Sequence, residues 1–247
     1  MKLELCVENI QAAQEAQKNK FDSIEINSAL HLGGLTPSMG LIKELAKIKN
    51  LEKNVMIRPR SGGFIYSEDE CKLMLSELKE IIDLDIDGIV FGFLNKDLTI
   101  NMDRTKEFVD LIHKAGKKAI FHRAIDNCLD YEEAIKQLID LHVDRILTSG
   151  QKERAIEAKD ILAKMQALYG DKIEIVVGAG VGPDNIIDLI DSTEAVYYHA
   201  SAREKILDMS SAINVDYSLG DFDYYSVDIG KIKALGDLKK KLLENLK

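Results

Sequence analysis

Short apolar runs that alternate with longer segments of helical periodicity are the feature that most constrains the fold of this chain. Eight such runs can be counted, and the first seven are each followed by a segment long enough for a helix. This order is typical of repeated βα units around a parallel sheet. The predicted strands are Leu3 to Val7, Ser23 to Asn27, Asn54 to Arg58, Gly88 to Gly92, Lys118 to His122, Arg145 to Ser149, Glu174 to Gly178 and Ala195 to His199.

Helix starts are marked by signals that do not depend on periodicity. Ser67 is predicted to cap the helix that follows it, with Glu70 placed to complete a capping box. Pro183 is predicted to lie in the first turn of the helix after the seventh strand. The clearest predicted helices are Glu68 to Leu84, Asp103 to Lys114, Tyr131 to Leu141 and Glu153 to Leu168. After an irregular stretch to about Val227, a last amphipathic helix is predicted that ends in Leu235 to Leu246.

Strands that alternate with helices form either an open doubly wound sheet or a closed barrel. Polar or glycine residues follow almost every predicted strand, and only a barrel brings all of these positions to one face. The chain has no GxGxxG after its first strand, which disfavours dinucleotide binding. We therefore predict an α/β fold, a single-domain (β/α)8 TIM barrel over residues 1–247, with a C-terminal irregular extension and helix.

Charge and cysteine content narrow the expected partners. The 42 acidic and 33 basic residues leave a formal net charge of -9, with no long basic run, so we expect neither nucleic acid nor an anionic membrane as the partner. No apolar run approaches the roughly 20 residues that cross a bilayer. The spacing of Cys6, Cys71 and Cys128 predicts neither a disulfide framework nor a structural zinc site. We expect a cytoplasmic protein with a small-molecule partner.

Two arginines leave the predicted third strand at its carboxyl end. Burying a guanidinium is costly unless an anion pairs with it, so Arg58 and Arg60 each need a partner. Glu25 is one candidate, because it shares a face of the second strand with Asn27 and can pair with an arginine inside the barrel. A small anionic ligand is the alternative.

The predicted fifth strand ends in a histidine, an arginine and, three residues later, a carboxylate. His122 beside Asp126 has the composition of a general acid or base, although a lone histidine is more often a satisfied core residue. Strand alternation predicts that His122 and Arg123 do not both point into the barrel. Thr148 and Ser149 end the next strand and are added as candidate ligand-binding residues.

Small residues follow the last two predicted strands. Gly178, Gly180, Ser201 and Ala202 lie where many (β/α)8 barrels bind phosphate through backbone N–H groups. The alternative is that they only close the sheet tightly. The resulting candidates are, for catalysis, His122, Asp126, Glu25 and Arg58, and, for ligand binding, Arg60, Arg123, Thr148, Ser149, Gly178, Gly180, Ser201 and Ala202.

Several of these motifs together resemble the CutC family, over a stretch from Cys6 to about Arg203. The motifs that carry the resemblance are Gly33 to Ser38, Ile57 to Arg60 with Gly63, Phe64, Tyr66 and Ser67, Phe121 to Ala124 with Asp126, and Leu147 to Gly150. The resemblance implies a cytosolic (β/α)8 barrel linked to copper homeostasis, with copper(I) held by two cysteines.

The first of those cysteines matches Cys6, the candidate metal ligand, whereas Asn27 stands at the position of the second. Thiolates select copper(I), so one thiolate beside an amide predicts weak copper binding by this chain. The competing hypothesis is an enzyme that acts on a small anionic or phosphorylated metabolite at the C-terminal face of the barrel.

The segment from Met209 to Tyr225 mixes Ser, Asp, Gly and Tyr without a period and is predicted to be a surface loop with some disorder. The alternative is that Tyr217, Tyr224 and Tyr225 form a subunit contact in a homo-oligomer.

Overall fold

Eight parallel strands close into a barrel in which each strand pairs with its neighbour in the sequence and β8 pairs back with β1. The structure is a computed structural model that describes residues 1–206 and 224–245. The predicted (β/α)8 barrel is confirmed. Its strands are β1 Lys2–Val7, β2 Ser23–Ile26, β3 Glu52–Met56, β4 Gly88–Phe91, β5 Lys118–Phe121, β6 Arg145–Thr148, β7 Glu174–Val177 and β8 Tyr197–Ala200.

The helices surround the barrel and bury their apolar faces against the strands. They are α1 Ile10–Lys18, α2 Met39–Leu45, α3 Glu68–Ile81, α4 Met102–Lys114, α5 Tyr131–Asp140, α6 Lys159–Tyr169, α7 Ile186–Thr193 and α8 Ile229–Asn245, with short 3-10 helices at Leu30–Leu32, Arg123–Asn127 and Ala155–Ala158. The predicted capping box of Ser67 and Glu70 is confirmed. The placement of Pro183 is wrong, because it lies in the turn before α7 rather than in the helix.

The C-terminal extension is more regular than predicted at its two ends. β9 (Arg203–Ile206) and β10 (Tyr224–Val227) pair antiparallel, and Tyr224 and Tyr225 belong to this second strand. The rest of the predicted loop, with Tyr217, lies outside the described residues. No helix in the described part of the chain is long and apolar enough to cross a membrane.

A charged layer fills the lower part of the barrel interior. Arg145 is 1% exposed. It pairs with Glu52 at 2.8 Å, with Glu174 at 2.5 Å and with Glu4 at 3.7 Å, while its guanidinium lies 4.4 Å from the ring centre of Tyr197. Barrel interiors more often hold branched apolar residues. Here the charged layer holds Glu4 in place directly beneath the carboxyl ends of the strands.

Candidate functional site

A cavity of about 310 Å³ opens at the carboxyl ends of the strands, the face at which (β/α)8 barrels carry their sites. Residues from β1, β2 and β8, which are adjacent in the closed barrel, form its floor. Residues from the loops after β3 and β5 form one wall. The residues that line the cavity are Cys6, Glu25, Leu30, Gly33, Met56, Arg58, Phe64, His122, Arg123, Leu147, Glu153, Ala179, Gly180, His199, Ser201 and Arg203.

The floor cluster consists of Cys6, Glu25 and His199. Their sulfur, carboxylate and imidazole ligand atoms all lie within 4.8 Å of one another. The register of the barrel explains this proximity, because Cys6 pairs with Glu25 across β1 and β2. Asn27 Nδ2 donates to Cys6 Sγ at 3.0 Å and to Glu25 Oε1 at 2.6 Å. The cluster therefore combines a soft, a borderline and a hard metal donor in one buried place.

A carboxylate below the floor cluster orients its histidine. Glu4 Oε1 lies 2.9 Å from His199 Nδ1, which leaves Nε2 as the ring nitrogen that a ligand can use. Burial opposes the charged form of both groups, but their mutual attraction outweighs it. The pKa of Glu4 is lowered to about 2 by the hydrogen bond and charge of His199 and by the charge of Arg145, and the pKa of His199 is raised by Glu25 and Glu4. Carboxylate-held histidines of this kind are common behind metal sites.

The surroundings of the other two members of the floor cluster disfavour their charged forms. Burial, and then the charge of Glu25, raise the pKa of the Cys6 thiol well above its usual value. Burial also raises the pKa of Glu25, and the nearby Glu4 carboxylate adds to this effect against the opposing charge of His199. A cation at this place would reverse both effects, because it stabilises thiolate and carboxylate.

Arg58 forms one wall of the cavity, and its partners are not the ones predicted. It does not pair with Glu25, the internal partner considered from the sequence, because three backbone carbonyls of the neighbouring loops accept the hydrogen bonds of its guanidinium. Within residues 1–206 and 224–245, no ion pair to Arg58 is found, and the residue is 4% exposed. The Phe64 ring lies 5.1 Å from the guanidinium. The accepting carbonyls are those of Leu32 at 3.0 Å, Gly34 at 2.9 Å and Gly62 at 2.6 Å.

Arg60, a candidate ligand-binding residue from the sequence, does not reach the cavity. Its guanidinium pairs with Glu70 in the first turn of α3 and lies 5.1 Å from the ring centre of Tyr66. Arg60 is not among the residues that line the cavity. Pro59 separates two arginines with different contacts. Arg58 donates to the carbonyls of neighbouring loops, whereas Arg60 pairs with the first turn of α3.

His122 stands beside Arg58 as a buried, neutral imidazole. Its Nδ1 accepts a hydrogen bond from Ala124 N at 3.2 Å, so the ring hydrogen is on Nε2, which has no partner among the described residues. Burial, and then the charge of Arg58, lower the pKa of His122 to about 3. Gly92 permits this position, because a Cβ there would come 2.6 Å from the imidazole Cε1.

Asp126 does not orient His122, which corrects the predicted acid–base pair. The carboxylate instead accepts hydrogen bonds from Thr148 Oγ1 at 2.5 Å, Ser149 N at 3.0 Å and Arg123 Nε at 2.9 Å. These contacts tie the loop after β5 to the loop after β6. Asp126, Thr148 and Ser149 are not among the cavity-lining residues.

Arg123 and His122 both line the cavity, contrary to the expectation from strand alternation. The alternation ends too early to apply, because β5 stops at Phe121 and a 3-10 helix begins at Arg123. The side chains of a 3-10 helix do not alternate between two faces as those of a strand do.

The small residues after β7 and β8 lie partly in the cavity and partly in a groove beside it. Gly180 and Ser201 line the cavity, whereas Ala202 lies with them in an adjoining groove. Gly178 serves packing, because a Cβ there would come 2.6 Å from Leu147 Cδ1. Arg203 lines both spaces, and its Nη1 is buried without a partner in the part of the chain that the structure describes.

Cys6 and Glu25 were among the candidates predicted from the sequence, whereas no role was predicted for His199 or Glu4. The available signal was His199 at the end of the eighth strand, one of the convergent strand ends. Its partner was hidden, because the pairing of Glu4 with His199 depends on β8 closing against β1.

The closed barrel and the polar cavity at the carboxyl ends of its strands place this protein among the TIM barrels, whose functional sites lie at that face. The model of the CutC family matches residues 1–204. The chain belongs to the CutC family.

Named relatives agree with this membership. The family protein CutC of Treponema denticola is 38% identical over 240 residues, which cover 97% of each chain. The family protein CutC of Glaesserella parasuis is 37% identical over 240 residues, which cover 95% of this chain and 97% of the relative.

Solved structures extend the comparison. The crystal structure of CutC from Streptococcus agalactiae superposes with a TM-score of 0.76 at 30% identity, covering 81% of this chain and 97% of that one. Phosphoribosylanthranilate isomerase from Thermotoga maritima matches with a TM-score of 0.56 at 12% identity, covering 98% and 99% of the two chains. The second likeness concerns the barrel fold alone.

Proposed function

We propose that this protein binds a copper ion at the floor cluster of Cys6, Glu25 and His199, as part of copper handling in the cytosol. The observation that carries the proposal is the convergence of the three ligand atoms within 4.8 Å. Thiolate and imidazole suit copper(I), whereas a carboxylate suits harder ions. Two of the three donors therefore fit copper(I). The S. agalactiae relative is named for copper homeostasis, which agrees with this cargo.

Binding of copper at the floor cluster requires the Cys6 thiol to lose its proton. Because burial and Glu25 raise the pKa of this thiol, copper competes with a proton and its affinity increases with pH. Glu4 supports the site from below by holding Nδ1 of His199. The amide of Asn27, which hydrogen-bonds Cys6 Sγ, supplies no thiolate, so we expect weaker copper(I) binding than a two-cysteine site provides.

The cytosolic location is supported by the state of the cysteines. Cys6, Cys71 and Cys128 are all buried and unpaired. Free thiols of this kind persist in a reducing compartment, where disulfides are rare.

Competition for copper(I) against a chelator of known affinity, without oxygen, tests the proposal. Wild type and Cys71→Ser, which removes a thiol from α3, should bind one equivalent with equal affinity. Cys6→Ser and His199→Gln should bind at least about tenfold more weakly, because each loses a ligand that copper(I) prefers. Circular dichroism establishes that the variants fold. Equal affinity in wild type and Cys6→Ser, or no binding by wild type, would contradict the proposal.

A further inference from the structure

The wall of the cavity above the floor cluster presents hydrogen-bond donors rather than acceptors. His122 is 3% exposed, and its Nε2–H lacks a partner within the described residues. The tautomer follows from geometry, since Nδ1 accepts the hydrogen bond of Ala124 N. A buried donor that is left unsatisfied costs free energy, which a ligand with an acceptor atom recovers. The matching ligand atom is therefore an acceptor.

The charge next to this donor has the sign that favours an anion. Arg58 is buried, and in the described ranges its guanidinium is met by backbone carbonyls and no carboxylate. Carbonyl dipoles accept from Nη1 and Nη2 but leave the full positive charge uncompensated, and Nε has no partner among the described residues. Arg203 adds a second guanidinium at the rim, with Nη1 unpartnered among the residues described. Arg123 contributes less, because Asp126 already pairs with it.

Two acidic residues also line the cavity, and neither cancels this field at the wall. Glu25 lies on the floor, where it accepts from Asn27 and faces His199. Glu153 is exposed to solvent at the rim, where water screens its charge. The buried positive charge without a carboxylate partner among the described residues is thus that of Arg58, beside the free donor of His122.

The size and remaining lining of the cavity define the rest of the ligand. A volume of about 310 Å³ is at the lower end of the roughly 300–1,000 Å³ typical of small-molecule sites. Phe64 packs on both wall residues, with its ring centre 4.6 Å from that of His122 and 5.1 Å from the Arg58 guanidinium. Leu30 and Met56 supply apolar surface nearby. These dimensions suit a compact organic molecule with one oxyanion group.

From these observations we propose that the cavity wall of Arg58 and His122, with Arg203 at the rim, binds a small organic oxyanion, either a carboxylate or a phosphate monoester. The oxyanion accepts the Nε2–H of His122 and neutralises the buried charge of Arg58, while the carbon skeleton lies along Phe64. This site lies in the same cavity as the floor cluster but uses none of its three residues, and it does not depend on the proposed copper function.

Calorimetric titration of the metal-free, full-length protein at low salt tests the proposal. Glycerol 3-phosphate and succinate are the probes, and glycerol is the neutral control. At least one anionic probe should bind at millimolar concentration or below, and binding should weaken with added salt because the contacts are charge-assisted. Binding of one anion class alone identifies which oxyanion the wall accepts. Binding of neither at about 10 mM, which corresponds to an affinity too weak for a specific site, overturns the proposal.

Variants locate the site and separate it from the copper ligands. His122→Phe removes the donor but keeps an aromatic ring beside Phe64, and Arg203→Met removes the rim charge. Each should weaken the anion at least about fivefold, as expected for a lost polar contact. Arg60→Met is the matched control, because this arginine is only two residues from Arg58 but outside the cavity. It should bind like wild type.

The outcome of this titration is independent of the copper proposal, because the protein is metal-free and the variants that locate the anion, His122→Phe and Arg203→Met, remove no residue of the floor cluster. Arg58→Met also removes loop contacts, so it is informative only if its unfolding remains cooperative. An equal loss of anion affinity in His122→Phe and Arg60→Met would show that the anion binds elsewhere and would overturn the proposal.

Discussion

The state of His122 shows how one buried residue makes stability depend on pH. Its pKa is lowered to about 3 from the usual histidine value of 6.5, by burial first and by the charge of Arg58 second. Below pH 6.5 the His122 imidazole binds a proton in the unfolded chain but not in the folded chain. The free energy of unfolding therefore falls as the pH falls. The loss begins near pH 6.5 and continues towards pH 3.

At pH 5.5, one unit below the unfolded value, the loss due to His122 amounts to about 1.4 kcal/mol. We expect wild type to lose about this much more unfolding free energy than His122→Phe when the pH falls from 7.5 to 5.5. Urea unfolding of both proteins at the two pH values measures it. The raised pKa of His199 acts in the opposite direction but is common to both proteins, so it cancels. An identical pH dependence in the two proteins would contradict a neutral buried His122.

Asn27 is the residue that limits the soft character of the floor cluster. Replacing it with cysteine puts a second thiolate within reach of Cys6, since Asn27 Nδ2 now lies 3.0 Å from Cys6 Sγ. Because copper(I) prefers thiolates, we expect Asn27→Cys to bind copper(I) at least about tenfold more tightly than wild type. Chelator competition measures the change.

Asn54→Cys is the matched control for that experiment. Asn54 is another buried amide of the barrel interior, but it donates to Glu4 Oε2 at 2.8 Å and does not line the cavity. It should leave copper affinity unchanged. A similar increase in both variants would mean that any added interior thiol captures copper.

At the level of residues, the sequence predicted which side chains reach the barrel mouth better than it predicted their partners. Glu25 was identifiable because strand position fixes its location, and Cys6 because the resemblance to the CutC family implies it. The pairing of Arg58 with Glu25 failed because loop carbonyls, which carry no sequence signature, satisfy the guanidinium. Side-chain identity predicts a need for a partner but not which group meets that need.

Among the structural elements, the connection between the loops after β5 and β6 depends on Asp126. Its carboxylate accepts hydrogen bonds from Thr148 Oγ1, Ser149 N and Gln151 N. Asp126→Ala leaves these donors unsatisfied, each at about 1–3 kcal/mol where it is buried, so we expect a loss of about 2–4 kcal/mol. Urea unfolding measures it.

Asp130→Ala is the control for the Asp126 variant, because this aspartate caps α5 through a hydrogen bond from Glu133 N. Loss of a helix cap should cost about 1 kcal/mol. If Asp126→Ala lowers the free energy of unfolding no more than Asp130→Ala does, the Asp126 carboxylate does not hold the two loops together. That result would support the interpretation of Asp126 as a functional group.

The existence and order of the strands were predictable, whereas their ends were not. Apolar runs mark where a strand is buried, and all eight were found in that way. The predicted third and fifth strands extended through Arg58 and His122, but ladder pairing ends at Met56 and Phe121. The pairing of β9 with β10 was missed because its two strands are separated by a segment without a hydrophobic period.

Across the whole molecule, Arg145 links strands that are far apart in the sequence. From β6 it reaches Glu4 on β1, Glu52 on β3 and Glu174 on β7, so one guanidinium crosses the interior of the closed barrel. It also helps to lower the pKa of Glu4, the carboxylate that holds His199. The charged layer therefore connects the stability of the barrel to the geometry of the floor cluster.

Replacing Arg145 with methionine should destabilise the protein by about 3–5 kcal/mol, because removing one partner of a buried ion pair leaves the other charges uncompensated. Glu4 and Tyr197 would face an empty position, and the barrel would lose its contact between β6 and β1. Chemical denaturation followed by circular dichroism measures the loss. Lys159→Met, which breaks a surface pair with Asp188, is the control and should cost less than about 1 kcal/mol.

The origin of the destabilisation in Arg145→Met can be tested by its dependence on pH. If uncompensated carboxylates cause it, the deficit relative to wild type should shrink as the pH falls through the acidic range, because protonation removes their charge. The sign follows from linkage: the charge of Arg145 lowers the folded pKa of Glu4 and of Glu52, so the stability that it contributes is present above the unfolded carboxylate pKa and is lost progressively as the pH falls from there through the folded pKa. A deficit that stays constant between pH 7 and pH 4 would instead indicate lost packing against Tyr197 as the cause.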